Sequence, residues 1–138
     1  MSEKSHVTVS EVMSTEIISI DATATVHDAT VLMREHHTSS IVVNRRNAAD
    51  EFGLIVVSDI ASKVLGENLS PKRVNVYEVM SKPVISLAAE MNTVYAVRLL
   101  SRFKLSRALV IDHDRNPLGI VTLRDMVLRN IRDIESEP

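Results

Sequence analysis

The sequence predicts an α+β fold built from two copies of a β-α-β-β-α unit. Three observations carry that prediction. The chain repeats itself, short β-branched or buried-type runs flank a stretch of helical apolar spacing within each copy, and the core residues are almost wholly aliphatic. The repeat comes first because it decides how the rest is read. Glu11-Val-Met-Ser14 recurs as Glu78-Val-Met-Ser81, 67 residues later. Ile18-Ser19 recurs as Ile85-Ser86, and Thr25-Val26 as Thr93-Val94. Ile41-Val-Val-Asn44 matches Leu109-Val-Ile-Asp112, and Gly53-Leu-Ile-Val-Val-Ser-Asp59 matches Gly119-Ile-Val-Thr-Leu-Arg-Asp125. The offset stays between 66 and 68, and the order of matches is preserved. Residues 8–69 and 70–134 are therefore read as two repeats of one module, with short tails at 1–7 and 135–138.

Each element follows in order. Glu16–Ile20 and Pro83–Leu87 are short runs rich in β-branched residues and read as brief strands. A helix follows, with Val26, Ala29, Leu32 and Met33 at helical spacing in one copy and Val94, Val97, Leu100 and Phe103 in the other. Thr25 and Thr93 stand just before the first periodic apolar residue, where an N-cap belongs. Ser40–Val43 and Ala108–Ile111 read as buried strands. Asn44–Glu51 and Asp112–Pro117 are polar loops, the second dense in turn formers. Phe52–Val57 and Leu118–Thr122 are third strands, and closing helices begin near Ser58 and Leu123. One unit alone would leave a sheet face or helix stripe uncovered, so the two should pack together.

Composition removes several classes of function. Among 138 residues there is no cysteine, so no disulfide, thiolate metal site or thiol nucleophile exists. Three glycines leave no Gly-rich phosphate loop of either common pattern. No apolar run nears the roughly 20 residues that span a bilayer. The opening residues carry Glu3 and lack an apolar stretch, unlike a signal peptide. These features point to a soluble, cytoplasmic protein. The net charge of −2 argues against a general nucleic-acid coat. The charge is uneven, however: residues 1–69 hold 5 basic and 10 acidic side chains, and residues 70–138 hold 11 and 8. Much of the second-half cation count is arginine, including Arg98, Arg102, Arg107, Arg115, Arg124 and Arg129. This is either a solvated face or a local anion site, since arginine pairs well with phosphate.

The ordered set of motifs, Glu-Val-Met-Ser ahead of Ile-Ser, a Thr-Val helix start, Val-Val-Asn or Val-Ile-Asp, and Gly-x-x-x-x-x-Asp, resembles the cystathionine β-synthase (CBS) domain. Two in tandem resemble a Bateman module, and the likeness covers about residues 8–134. On this reading the module stands alone, without room for a catalytic or DNA-binding domain. One departure is His37, at a helix end where the family commonly has glycine. Histidine tolerates left-handed backbone, so the turn is expected to survive.

The resemblance implies a ligand: an adenosine-containing molecule (AMP, ADP or ATP, with S-adenosylmethionine and NAD as further candidates) in the cleft between repeats. It implies that Asp125 holds ribose hydroxyls and Thr122 contacts ribose or phosphate. A carboxylate accepting a pair of hydroxyls is sound chemistry. The competing explanation is a capping box, with Thr122 as N-cap and Asp125 at N3. Arg124 and Arg107 stand where the family places phosphate contacts, against the alternative of surface ion pairs. The adenine slot would come from Ser81, Lys82, Val84, Ile85 and Ser86 with Ala108 and Leu109, several of which are also ordinary core residues. The other copy offers Asp59 and Ser58, Ser14, Ile17 and Ser19, and Ser39 and Ser40, with Val56 in place of the threonine. It carries no charge where Arg107 and Arg124 stand, so its site is expected to be the weaker.

His36 and His37 point about 100° apart on a helix and make a poor chelate, and no catalytic constellation stands out. The expectation is therefore no metal, no catalysis and no required cofactor, with an adenine nucleotide as a regulatory ligand. Apolar helix faces at Val94–Val97 and along Leu123–Ile134 predict a homodimer. The leading reading is a regulatory module that senses its ligand and signals to an unknown protein by conformational change. The alternatives are a ligand-free dimerisation scaffold and, less favoured, nucleic-acid binding through the basic half.

Overall fold

In the computed structural model, which describes residues 7–82 and 85–136, the chain opens with one helical turn, α1 (Val9–Val12). Thr8 caps it, its backbone N–H donating to Glu11 Oε2 at 2.8 Å. The first copy then runs β1 (Ser19–Ile20), α2 (Val26–His36), β2 (Ser40–Val43), β3 (Gly53–Val56) and α3 (Val57–Ile60). A π-helical turn (Ala61–Leu65) extends α3, and 3-10 turns follow at Pro71–Arg73 and Val76–Glu78. The second copy runs β4 (Ser86–Ala88), α4 (Thr93–Arg102), β5 (Arg107–Ile111), β6 (Pro117–Thr122) and α5 (Leu123–Glu135). The predicted β-α-β-β-α order holds in both copies.

Each copy forms a three-stranded sheet in which the first strand runs parallel to the second and the second antiparallel to the third. Within β2 and β5 the faces alternate. Ile41 and Val43, and Ala108 and Val110, join the helix-covered cores, while Val42 and Leu109 are buried on the opposite face. In one core Val26, Ala29 and Met33 of α2 pack over Ile41 and Ile55. In the other Ala96 and Leu100 of α4 and Met126 of α5 pack over Leu87 and Val121. Both cores are aliphatic apart from methionine, as the composition requires.

The helix ends show local rules at work. Thr25 caps α2 as expected, its Oγ1 accepting the Asp28 N–H at 3.1 Å while the Asp28 carboxylate accepts the Thr25 N–H. In the second copy the cap is Asn92, whose Oδ1 accepts the Val94 N–H at 2.9 Å, and Thr93 is the first helical residue. Asparagine caps at least as well as threonine, so the boundary falls one residue earlier. His37 (φ 51°) and Lys104 (φ 56°) both adopt the left-handed turn that the family fills with glycine. The first strands are shorter than the sequence suggests. The paired strands begin at Ser19 and Ser86, with Ile18 O and Ile85 O accepting the Val42 and Leu109 N–H groups at 2.9 and 3.3 Å just before them; Pro83 and Val84 lie outside the described residues.

The compact units are not the sequence repeats. One comprises residues 7–17 with 85–136, and the other residues 18–82. In the first, the Ser14 N–H donates to Ile120 O at 2.9 Å and the Ile120 N–H returns to Ser14 O at 3.0 Å. In the second, Ser81 and Leu54 make the same pair of bonds at 2.9 and 3.0 Å. Each Glu-Val-Met-Ser segment is thus built into the unit that holds the other repeat's sheet. Gly119 and Gly53 make room for it. A Cβ at Gly119 would lie 2.5 Å from Ser14 O, and one at Gly53 would lie 2.9 Å from Met80 Sδ. Among the described residues no helix is long and apolar enough to cross a membrane.

Candidate functional site

The site in the unit of residues 7–17 and 85–136 grows from the junction of β6 and α5. β6 ends at Thr122, whose Oγ1 accepts the Asp125 N–H at 3.0 Å and starts the helix. The capping box stays half made. In α1 and α2 the acid at N3 returns its carboxylate to the cap backbone, but Asp125 does not. Thr122 stands opposite Arg107 in the sheet, next to the Leu123 N–H bond to Ser106 O of 2.9 Å. Capping therefore accounts for the Thr122 hydroxyl and leaves the Asp125 carboxylate for other work.

Antiparallel pairing of Arg107 with Thr122 puts both side chains on one face of the sheet. Arg107 is half-buried, and that burial lowers its guanidinium pKa below the usual value. The negative Asp125 opposes the shift electrostatically. Ala108 is 1% exposed and faces the helix-covered core, so its side chain is structural. Leu109, equally buried, lies on the Arg107 face of β5. Ile85 is half-buried against the core, and Ser86 is exposed opposite Leu109 in the parallel β4–β5 pair. Arg124 is exposed.

A groove of about 310 Å³ opens beside Asp125, lined also by Leu128, Arg129 and Arg132 of α5 and by Glu11 and Val12 of α1. Of these other five, the sequence singles out Arg129 alone, as one arginine of the basic half. Arg129 and Arg132 stand four and seven residues after Asp125, a helical spacing that could have revealed them. Glu11 and Val12 carried no such signal, because their helix packs beside the distant repeat.

The remaining candidates divide between the units. Ser14 and Ile17, expected beside Asp59, belong with Asp125, and Ser81 and Lys82, expected beside Asp125, belong with Asp59. Val84 lies outside the described residues. Lys82 Nζ reaches Asp50 Oδ2 at 2.7 Å and with the Arg46 backbone N–H holds that carboxyl far below the usual range. Asp59 is half-buried in the first turn of α3, Ser58 is exposed beside it, and the Val56 N-cap supplies no side-chain bond. Ser19 is exposed and pairs with Val42, Ser39 O accepts the Val57 N–H at 2.9 Å, and Ser40 is buried.

Among the described residues no three His, Asp or Glu side chains gather as a metal site. The Asp112 carboxylate, beside His113, is taken up by its own turn, accepting the Asp114 and Asn116 N–H groups at 2.8 and 2.9 Å. The Asn116 bond in particular lowers the pKa of Asp112.

Comparison with known proteins gives this geometry its context. The CBS domain profile matches residues 9–66 and 76–130. An uncharacterised protein of Methanopyrus kandleri is 32% identical over 88% of this chain and 61% of its own length. A CBS domain-containing protein of Bacillus subtilis is 25% identical over 89% of this chain and 85% of its own. A further uncharacterised relative, from Thermofilum pendens, is matched over 44% of its length, so the chain spans about half of some of its relatives. Among solved structures, a hexameric CBS-CP12 protein from bloom-forming cyanobacteria superposes with a TM-score of 0.89 at 29% identity, over 96% of this chain and 73% of that one. A CBS domain protein of Thermoplasma acidophilum gives 0.81 at 28%, over 95% and 75%. A CBS domain pair in complex with 5′-methylthioadenosine and S-adenosyl-L-methionine gives 0.81 at 21%, over 94% and 99%, a likeness of fold. The chain belongs to the CBS domain family and is a tandem CBS pair, a regulatory module.

Proposed function

We propose that this CBS pair senses an adenosine-containing ligand through the Asp125 site and passes the change to a protein partner. The observation that carries the reading is the half-made cap. Asp125 gives its N–H to Thr122 but keeps its carboxylate, which stands at the wall of a groove with Arg107 close enough to feel its charge. A carboxylate in that position can accept two ribose hydroxyls. A pair of the same fold holds two adenosine-derived ligands, which supports the ligand class. The Asp59 site is the weaker candidate, with Val56 for the threonine and serines for the arginines, while Lys82 of the same unit is paired with Asp50.

Signalling requires the ligand to bind two arrangements of the module unequally. The natural second arrangement is a change of assembly. The α4–α5 side of the unit exposes Val94, Tyr95, Val127, Ile131 and Ile134, which supports a homodimer through these helices. The functional reading is tested by thermal-shift titration with AMP, ADP, ATP, S-adenosylmethionine and NAD. A ligand at 100 times its Kd adds about 2.7 kcal/mol of stability. Asp125→Ala should weaken the responding ligand by about 1.5–3 kcal/mol, the loss expected for hydrogen bonds to a charged group. No response across the panel would favour a dimerisation scaffold instead.

A further inference from the structure

Away from the Asp125 groove, α4 and the turn after it carry a strip of cations and aromatic rings. No acidic residue occurs between Glu90 and Asp112, while Arg98, Arg102, Lys104 and Arg107 all do, the first three of them exposed. The chain has two tyrosines and two phenylalanines, and one of each stands in this stretch. Tyr95 is 59% exposed and Phe103 56%. Tyr95, Arg98 and Arg102 stand at i, i+3 and i+7 of α4 and so share one side of the helix. The Arg98 guanidinium lies over the Tyr95 ring, its Cζ 5.7 Å from the centroid. Phe103 ends the helix and Lys104 follows in a left-handed turn (φ 56°), so residues 101–106 are all exposed. Among the described residues no carboxylate pairs with Arg98, Arg102 or Lys104. The matching helix of the first repeat, α2, carries Asp28 and Glu35 and no aromatic residue. The repeat architecture therefore does not require the strip.

Exposed rings set among unpaired cations suit a strand of bases joined by phosphates, because bases stack on the rings while the cations take the backbone. A duplex hides its base faces and would leave the rings unused. A symmetric contact of the strip with itself would bring like charges together. An anionic lipid surface would use the charges but not the Tyr95–Arg98 stack. Tyr95 and Arg102 lie about 10 Å apart along the helix axis, room for about three nucleotides stacked at about 3.4 Å each. We propose that the α4 strip binds single-stranded nucleic acid, with Arg98, Arg102 and Lys104 on phosphates and with Phe103 and the Arg98-backed Tyr95 under bases. A net charge of −2 excludes a coat along the whole molecule but not this local contact. The strip shares no residue with the Asp125 site, so it stands or falls without the ribose reading. Tyr95 also belongs to the face proposed for self-association, which makes Phe103 the discriminating ring.

Fluorescence anisotropy of the full chain with a short labelled oligouridine, read over a series of salt concentrations, tests it. The logarithm of the wild-type affinity should fall against the logarithm of salt with a slope of about −2, since each of three cations releases about 0.7 of a counterion. Arg102→Ala together with Lys104→Ala should bring the slope to about −0.7. Phe103→Ala should weaken the strand at least about fivefold and leave the slope unchanged, because stacking releases no ions. Asp125→Ala should change neither quantity. All three replaced residues of the strip are exposed, so unchanged thermal midpoints will show that the variants remain folded. A slope that survives the double replacement, a Phe103→Ala protein that binds like the wild type, or no binding at low salt overturns the assignment. Heparin or phosphatidylserine vesicles held as tightly as the strand overturn the nucleic-acid class, since charge alone would then explain the binding.

Discussion

Ser14 and Ile120 exchange two backbone hydrogen bonds, 2.9 and 3.0 Å long, across 106 residues of sequence. The pairing lays Met13-Ser14 over Gly119, where a Cβ would sit 2.5 Å from Ser14 O and 2.7 Å from Met13 Sδ. The obstructing oxygen is backbone and is held by the same two bonds, so it cannot yield. Gly119→Ala should therefore cost about 1–3 kcal/mol, the range for overpacking. At Gly53 the nearest atom is Met80 Sδ at 2.9 Å, and methionine adapts. Gly53→Ala should cost less. Urea unfolding of the two variants checks the order, and equal losses would refute it.

The division of labour between Thr122 and Asp125 predicts that stability and binding separate. Thr122→Ala removes the acceptor of the Asp125 N–H and should cost about 1 kcal/mol of stability. Asp125→Asn leaves that cap intact and loses only a charge at the helix start, about 0.3–1 kcal/mol. Its effect on ligand affinity should be the larger of the two. Thermal midpoints and calorimetric affinities for both variants decide the matter.

The Asp50–Lys82 pair predicts a pH dependence of stability. The Lys82 ammonium, then the Arg46 backbone N–H, hold the Asp50 carboxyl well below its ordinary 3.8. A lowered acid pKa stabilises the fold above the unfolded value, and that gain is lost as pH falls through the folded value. Asp50→Asn should lower the unfolding midpoint at pH 7. The gap from wild type should narrow as pH drops below about 4. A gap that stays constant into acid would show that the pair contributes nothing through its charge.

The homodimer proposed through the α4–α5 side makes a prediction of its own. Ile131 and Ile134 are 45% and 58% exposed in the single chain, large values for isoleucine on a small protein. Replacing both with glutamate should leave the monomer folded, because neither belongs to the core, and should shift sedimentation toward the monomer. An unchanged mass would place the interface elsewhere.

Much of this molecule was legible in its sequence because the information is local. The buried run of Ser40–Val43, the Thr25 cap and the left-handed turn at His37 each depend on neighbours a few residues away. The sequence also singled out Thr122 and Asp125, since a helix start shows itself within four residues. It could not separate capping from ligand contact, because both demand the same residue types; the structure shows that Thr122 caps α5 while the Asp125 carboxylate does not return to the cap backbone. Nor could it tell that Glu11-Val-Met-Ser14 would join the sheet of the second repeat and Glu78-Val-Met-Ser81 that of the first. The two segments are nearly identical, so local propensity does not choose between the sheets. The choice was made by long-range strand pairing at Ser14–Ile120 and Ser81–Leu54, and by the space left at Gly119 and Gly53. That same pairing sets α1 beside α5, and so the groove, with Glu11 and Val12 facing Arg129 and Arg132, exists only in the tertiary structure.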